Sequence, residues 1–93
     1  MKIEWDFRKN HDNLVKHGLS FEDVAAVFHG QVVTFLDDRN DYGELRYITL
    51  GELKGREVVV VYTLRENHVR IISMRKANER EKKIYKKRRE TLR

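Results

Sequence analysis

Residues 56–76, REVVVVYTLRENHVRIISMRK, constrain the fold more than any other part of the chain. Two apolar runs, 58–64 and 69–74, flank the polar Arg65-Glu66-Asn67-His68. Four consecutive valines with Tyr62 and Thr63, then Ile71-Ile72, favour extended structure, because branched and aromatic side chains fit a pleated surface. A continuous apolar run, rather than an alternating one, needs cover on both faces. These residues therefore predict a central hairpin with structure packed on either side. Arg65, Arg70 and Arg75 stand at its open ends, so the ribbon is apolar in the middle and cationic at the rim, where an anion would bind.

The rest of the chain arranges itself around that hairpin. Residues 2–6 alternate Ile3 and Trp5 with charged neighbours and predict a short half-buried strand. Asp6 is placed to cap a helix over 7–17, whose thin apolar stripe is Phe7, Leu14 and Val15, with His11 on the same side. Gly18 supplies the stop. Ser20 opens a second helix, with Asp23 three residues on; Phe21, Val24, Ala25, Val27 and Phe28 form its buried face, and Gly30 ends it. Residues 31–36 predict a strand, 37–43 a polar loop and 44–52 another strand, with Lys54-Gly55 a two-residue hairpin turn. A very polar helix follows over 77–92, with only Ala77, Ile84, Tyr85 and Leu92 apolar, a stripe so narrow that the helix is either weakly docked or waits for a partner. The expected class is α+β: a small single domain, 1–93, with an N-terminal strand and helical hairpin packed on an antiparallel β-meander, and a C-terminal helix.

Charge is uneven. Residues 75–93 hold ten Lys or Arg against three Glu, a net +7, while the first 74 residues net −2 within a chain total of +5. Such asymmetry suits a polyanion or an acidic partner, although a solvated charged helix would show it too. The absence of cysteine excludes disulfides, thiolate metal sites and a cysteine nucleophile. The histidines lack paired metal-ligand spacing, so no metal and no cofactor are expected. No apolar run approaches the roughly 20 residues that span a bilayer, and residues 1–6 are mixed and charged, unlike a secretory leader. The expectation is a cytoplasmic protein with no membrane role.

Register narrows the candidates. With Lys54-Gly55 as the turn, Thr63 faces Arg46, Val61 faces Ile48 and Val59 faces Leu50, so Arg46 and Arg65 share one sheet face. A three-residue loop at Glu66-Asn67-His68 adds Ser73 and Arg75 to that face; a two-residue loop sends Arg75 to the other. Two neighbouring guanidiniums make a phosphate clamp, or, with Glu44 or Glu81 between them, an ordinary ion-pair network. His17, at the end of the first helix, fits both a helix-dipole role and proton transfer near neutral pH.

In order, Trp5-Asp6, Lys9, Asn13, Lys16-His17-Gly18, Phe21-Glu22, Phe28, Gly43-Glu44, Arg46, Gly51, Tyr62-Thr63, Arg65, Arg70-Ile71-Ile72-Ser73, Arg75, Ala77, Glu81 and Tyr85 resemble the BrnT family of type II toxin–antitoxin ribonucleases. The resemblance covers nearly the whole chain up to about Tyr85, carried by order and spacing rather than by one motif. The chain departs from the family pattern at Phe7, where a proline would open the first helix, and at Met74, where a smaller residue is common.

The resemblance implies a RelE-like fold and RNA cleavage that arrests translation. It also implies a BrnA-type antitoxin that forms a hetero-oligomer with the toxin and alone carries the contact to operator DNA. Metal-independent cleavage needs a base for the 2′-hydroxyl, charge at the phosphate and an acid for the leaving oxygen. Arg46, Arg65 and Arg75 suit the electrostatic part. His17, Lys16, Glu81 and Tyr85 are the proton handlers available, with His17 preferred as acid or base, while Lys16, Arg70 and Lys76 suit RNA binding. The alternative is a non-catalytic module that binds RNA or antitoxin within an operon repressor complex.

Overall fold

In the computed structural model, which describes residues 2–39 and 41–91, the chain begins with β1 (Lys2–Trp5) and α1 (Phe7–His17). A 3-10 turn (Phe21–Asp23) leads into α2 (Val24–His29). There follow β2 (Val33–Asp37), β3 (Arg46–Leu53), β4 (Arg56–Arg65), β5 (His68–Lys76) and α3 (Glu79–Thr91). The α+β class and the order of elements match the reading of the sequence. Asn40 of the polar loop and Leu92 of the terminal stripe lie outside the described residues.

The sheet has the order β1-β5-β4-β3-β2, which puts β4 at its centre. Val58, Val59, Val60 and Val61 are all buried, as a strand covered on both faces requires. Each contributes roughly 1.5–3 kcal/mol relative to an exposed valine, against about 0–1 kcal/mol for an exposed ion pair. The valine strand, not the charges, holds the fold. Strands β2 to β5 form the antiparallel meander, and the Lys54-Gly55 turn sets its register, with Arg46 opposite Thr63, Ile48 opposite Val61 and Leu50 opposite Val59. Lys54 and Gly55 take φ of 52° and 78°, the left-handed pair that a tight hairpin turn demands. The sheet is not purely antiparallel, however: β1 joins β5 in parallel, with Ile3 opposite Val69 and Trp5 opposite Ile71.

The helices dock differently: α2 and α3 through apolar side chains, α1 through an amide. On one face, Val58, Val60, Tyr62, Ile71 and Met74 pack with Phe21, Val24 and Val27. There α2 lies so close to β3 that a Cβ on Gly51 would stand 2.6 Å from Val27 Cγ1. Asp6 caps α1 by accepting from the N–H groups of Arg8 and Lys9, which lowers its pKa, and Gly18 closes the helix. The stripe expected to seat α1 is not its buried face: Phe7 is 82% exposed, Val15 74% and Leu14 46%. The helix docks through Asn13 instead, whose amide donates to the carbonyls of Met74 (2.8 Å) and Leu19 (2.9 Å) and accepts from Met74 N–H (3.1 Å). Asn10 adds an acceptor for Phe21 N–H at 2.8 Å. In α2, Ala25 is exposed rather than buried, and Ser20 caps the preceding 3-10 turn, not α2 itself, by accepting from Glu22 N–H. On the other face, Val33, Leu50, Val59 and Val61 pack with Ala77 and Tyr85, with Ile72 and Ile84 alongside.

The β4–β5 loop has two residues, Glu66 and Asn67, since Arg65 pairs with His68. That alone would turn Arg75 to the face of Val58 and Val60. It does not, because the ladder shifts after Tyr62: Tyr62 pairs with Ile71 but Val61 with Ser73. Ile72 is the extra residue of a β-bulge, which reverses the alternation beyond it. Ser73 and Arg75 thus pair with Val61 and Val59 and share a face with Arg46, Thr63 and Arg70.

Candidate functional site

The bulged face carries a string of cations, most with a carboxylate beside them. At its base, below α3, lies a hollow of about 400 Å³ floored by Phe35, Ile48, Leu50 and Ile84 and rimmed by Arg39, Arg75, Asn78, Arg80 and Glu81. Arg75 extends both guanidinium nitrogens to Glu81, each at 2.7 Å, a bidentate pair. Glu81 also accepts from Asn78 N–H at 2.9 Å, and Asn78 returns the bond to Glu81 N–H at 2.8 Å. This capping box starts α3 and fixes Glu81 over the hollow. The pair to Arg75 lowers the Glu81 pKa and burial opposes it; the same pair raises that of Arg75, while the charge of Arg39 pulls the other way.

Arg39 reaches into the hollow from the β2–β3 loop, held by Asp37 at 2.8 and 2.9 Å. The Asp37 side chain is almost fully buried, and its bonds to Arg39 hold its pKa at about 2 despite that burial. Tyr42 donates to the same carboxylate at 3.4 Å, and the Arg46 guanidinium lies 3.8 Å from the Tyr42 ring centroid. Glu44 then links Arg46 (3.9 Å) with Arg65 (3.3 Å), which is the bridging carboxylate weighed for this pair. The Arg46 Nε is buried with no hydrogen-bond partner among the described residues. Thr63, between the two arginines in register, donates to Leu45 C=O at 2.7 Å. On the far side, Arg70 stands 3.7 Å from Glu4. One face therefore runs from Arg75 through Arg39, Arg46 and Arg65 to Arg70.

Beside it, at the edge of β5 left open where β1 ends, Lys16 and His17 line a hollow of about 250 Å³ with Lys9, Asp12, Asn13, Ile72 and Ser73. Ser73 lines this second hollow, and Arg75, on the rim of the first, follows it by two residues on the same face. The structure thus brings together Arg75 with Glu81, Arg46 with Arg65, and Lys16 with His17. It does not bring Tyr85 to the open groove: the ring is 3% exposed, its hydroxyl donates to Gln31 C=O at 2.8 Å, and burial raises its pKa. Lys76 is exposed opposite Val58, on the reverse face from Arg75. Arg39, Asn78 and Arg80 were not singled out in the sequence. The Asp37-Asp38-Arg39 run offered a signal, an acid two residues before a base at a strand end. Among the described residues, no three His, Asp or Glu side chains gather as a metal-holding group.

Residues 5–81 match the family model described as "Ribonuclease toxin, BrnT, of type II toxin-antitoxin system". The chain belongs to the BrnT family. That match spans β2 to β5, both N-terminal helices and the start of α3, with only Trp5 of β1, so it includes Arg39, Arg46, Arg65, Arg75 and Glu81. No curated protein matches the chain significantly. Membership makes this a ribonuclease toxin of a type II system, with RNA as the substrate class and an antitoxin as the partner. Among the described residues no helix is long and apolar enough to cross a membrane.

Proposed function

We propose that the bulged sheet face is where this BrnT chain cleaves RNA, without a divalent metal, and so arrests translation in the cytoplasm. The observation that carries the proposal is the bulge at Ile72, which turns Arg75 onto the face of Arg39 and Arg46 above an open hollow. Guanidiniums there supply the charge that a cleaving site needs at a scissile phosphate, where fixed donors act most strongly in a partly dry groove. Arg75 is the principal phosphate ligand, with Arg39, Arg46 and Arg65 along the backbone path and Arg70 and Lys16 at its edges.

Phosphate and the Glu81 carboxylate compete for the same two nitrogens of Arg75. When RNA takes them, Glu81 loses the largest of the interactions that lower its pKa, keeping the Asn78 N–H bond that lowers it and the burial that raises it. Substrate binding thereby makes Glu81 a better base for the 2′-hydroxyl. His17, across Ser73, is the acid for the leaving 5′-oxygen. Neutralisation is by a BrnA-type antitoxin, which also makes the operator contact.

The test is cleavage of a defined RNA in excess chelator. Cleavage leaving a 2′,3′-cyclic phosphate, and none at a position carrying a single 2′-deoxy sugar, is expected. Equal cleavage of the deoxy-substituted strand would refute a mechanism through the 2′-hydroxyl. Tight RNA binding with no cleavage would favour the non-catalytic module.

A further inference from the structure

The reverse face of the sheet carries a second, chemically opposite concavity. A groove of about 470 Å³ is floored by Phe28, Tyr47 and Tyr62 and walled by Ile3, Leu64 and Val69. The floor is an aromatic cluster: Tyr62 stacks on Tyr47 at 5.7 Å and meets Phe28 edge-on at 5.4 Å. Its hydroxyl is occupied too, sharing hydrogen bonds of 2.9 Å along Thr34, Thr49 and Tyr62. Outside α1, the large apolar side chains exposed among the described residues are Leu36, Leu45 and Leu64, each on the groove wall or near its Tyr47 in sequence or register. Leu64 is 44% exposed on the wall, and Leu36, 52% exposed, pairs with Tyr47 across β2 and β3. Leu45, 62% exposed, is two residues before Tyr47. α1 and α2 cover the sheet up to this end and leave it bare.

We propose that this groove is the docking site for an amphipathic segment of the antitoxin, apolar on one side and acidic on the other. The proposal rests on the toxin–antitoxin membership and adds the surface. Exposed apolar patches beside a formed concavity mark protein contacts, and an apolar helix face laid in a groove is a recurring form of them. RNA is a poor occupant, since among the described residues no Lys or Arg lines the groove. The chain's positive excess lies in residues 75–93, net +7, outside the groove lining. That basic segment favours a partner that carries acidic residues beyond its apolar side. The antitoxin then grips the toxin on the face opposite Arg75, so affinity and active-site occlusion reside in different contacts.

The experiment uses the full chain and its cognate antitoxin, co-expressed and separated, with Leu64→Glu, Leu36→Glu and the milder Leu64→Ala. Both leucines are substantially exposed, so melting temperatures should stay near that of the wild type. The glutamate variants are expected to bind antitoxin at least about 10-fold more weakly, as for an interface anchor, and Leu64→Ala by less. RNA cleavage by the free variants should be unchanged. Antitoxin affinities within about twofold of wild type in both glutamate variants would overturn the proposal, a twofold ratio being under about 0.5 kcal/mol. So would sedimentation showing that Leu36→Glu converts a dimer to a monomer while antitoxin affinity holds. Absent cleavage by the wild type would instead count against the ribonuclease reading, and the affinity ratios would still decide the groove.

Discussion

Replacing Asn13 should cost more stability than replacing any exposed arginine of the site. Its side chain is 7% exposed and satisfies three backbone groups: Met74 N–H, Met74 C=O and Leu19 C=O. The two bonds to Met74 are buried, and a buried backbone group left without a partner costs about 1–3 kcal/mol. The Leu19 carbonyl is only partly buried, so water recovers most of that loss. Asn13→Ala is therefore expected to lose about 2–5 kcal/mol, where a typical point mutation loses about 1 kcal/mol. For a domain of this size that lowers the melting temperature by roughly 10 °C or more. Asn13→Leu separates the causes, since it restores volume but not hydrogen bonds and should remain nearly as unstable. Urea unfolding of all three proteins, with the m-value checked for constancy, measures the effect. A loss below about 1 kcal/mol in both variants would show that α1 is not docked through this amide.

Acid stability should depend on Asp37. Its folded pKa of about 2 lies below the ordinary carboxylate value of 3.8, so the folded state binds fewer protons between those values. Its contribution is then fully present above about pH 4 and is lost as pH falls towards 2; Asp37→Asn should flatten the unfolding curve in that window, and an unchanged curve would contradict the pairing. Arg65→Ala should leave stability within about 1 kcal/mol of wild type, because its partner Glu44 is a surface contact. RNA cleavage by the same variant should fall less than on replacing Arg75, and thermal melting beside a cleavage assay checks both. The α3 amides should exchange faster than those of β4, since in α3 only Tyr85 is buried. Equal protection by native-state hydrogen exchange would show the helix to be firmly held.

The sheet was legible because four valines in a row, a Lys-Gly turn and alternating flanks leave few arrangements. The turn set the Arg46–Thr63 register directly. The bulge was harder, since loop length and phase give opposite answers for Arg75, yet the sequence carries its trace. Val69 and Ile71 keep one alternation and Met74 keeps the other, with the adjacent Ile71-Ile72 marking the slip. Docking of α1 was illegible because asparagines at helical spacing read as solvent-facing, whereas Asn10 and Asn13 serve backbone groups of neighbouring elements. Burial of Tyr85 follows from the stripe, but its bond to Gln31, 54 positions away, has no local signature. Arg39 was hidden for a similar reason: a loop arginine acquires meaning only when Asp37 aims it at Arg75.

The central claim is that Arg75, turned by the bulge, stabilises the charge of RNA cleavage. The direct measurement is the single-turnover cleavage rate of Arg75→Ala and Arg75→Lys on one defined RNA in chelator, with melting temperatures from the same preparations. The alanine variant should lose roughly two to three powers of ten in rate, as when a transition-state donor is removed. Lysine should recover only part, because a point charge does not replace the two-nitrogen fork. Melting temperatures should change little beside the rates, the fold being held by the valine strand. Wild-type cleavage by Arg75→Ala would contradict the account.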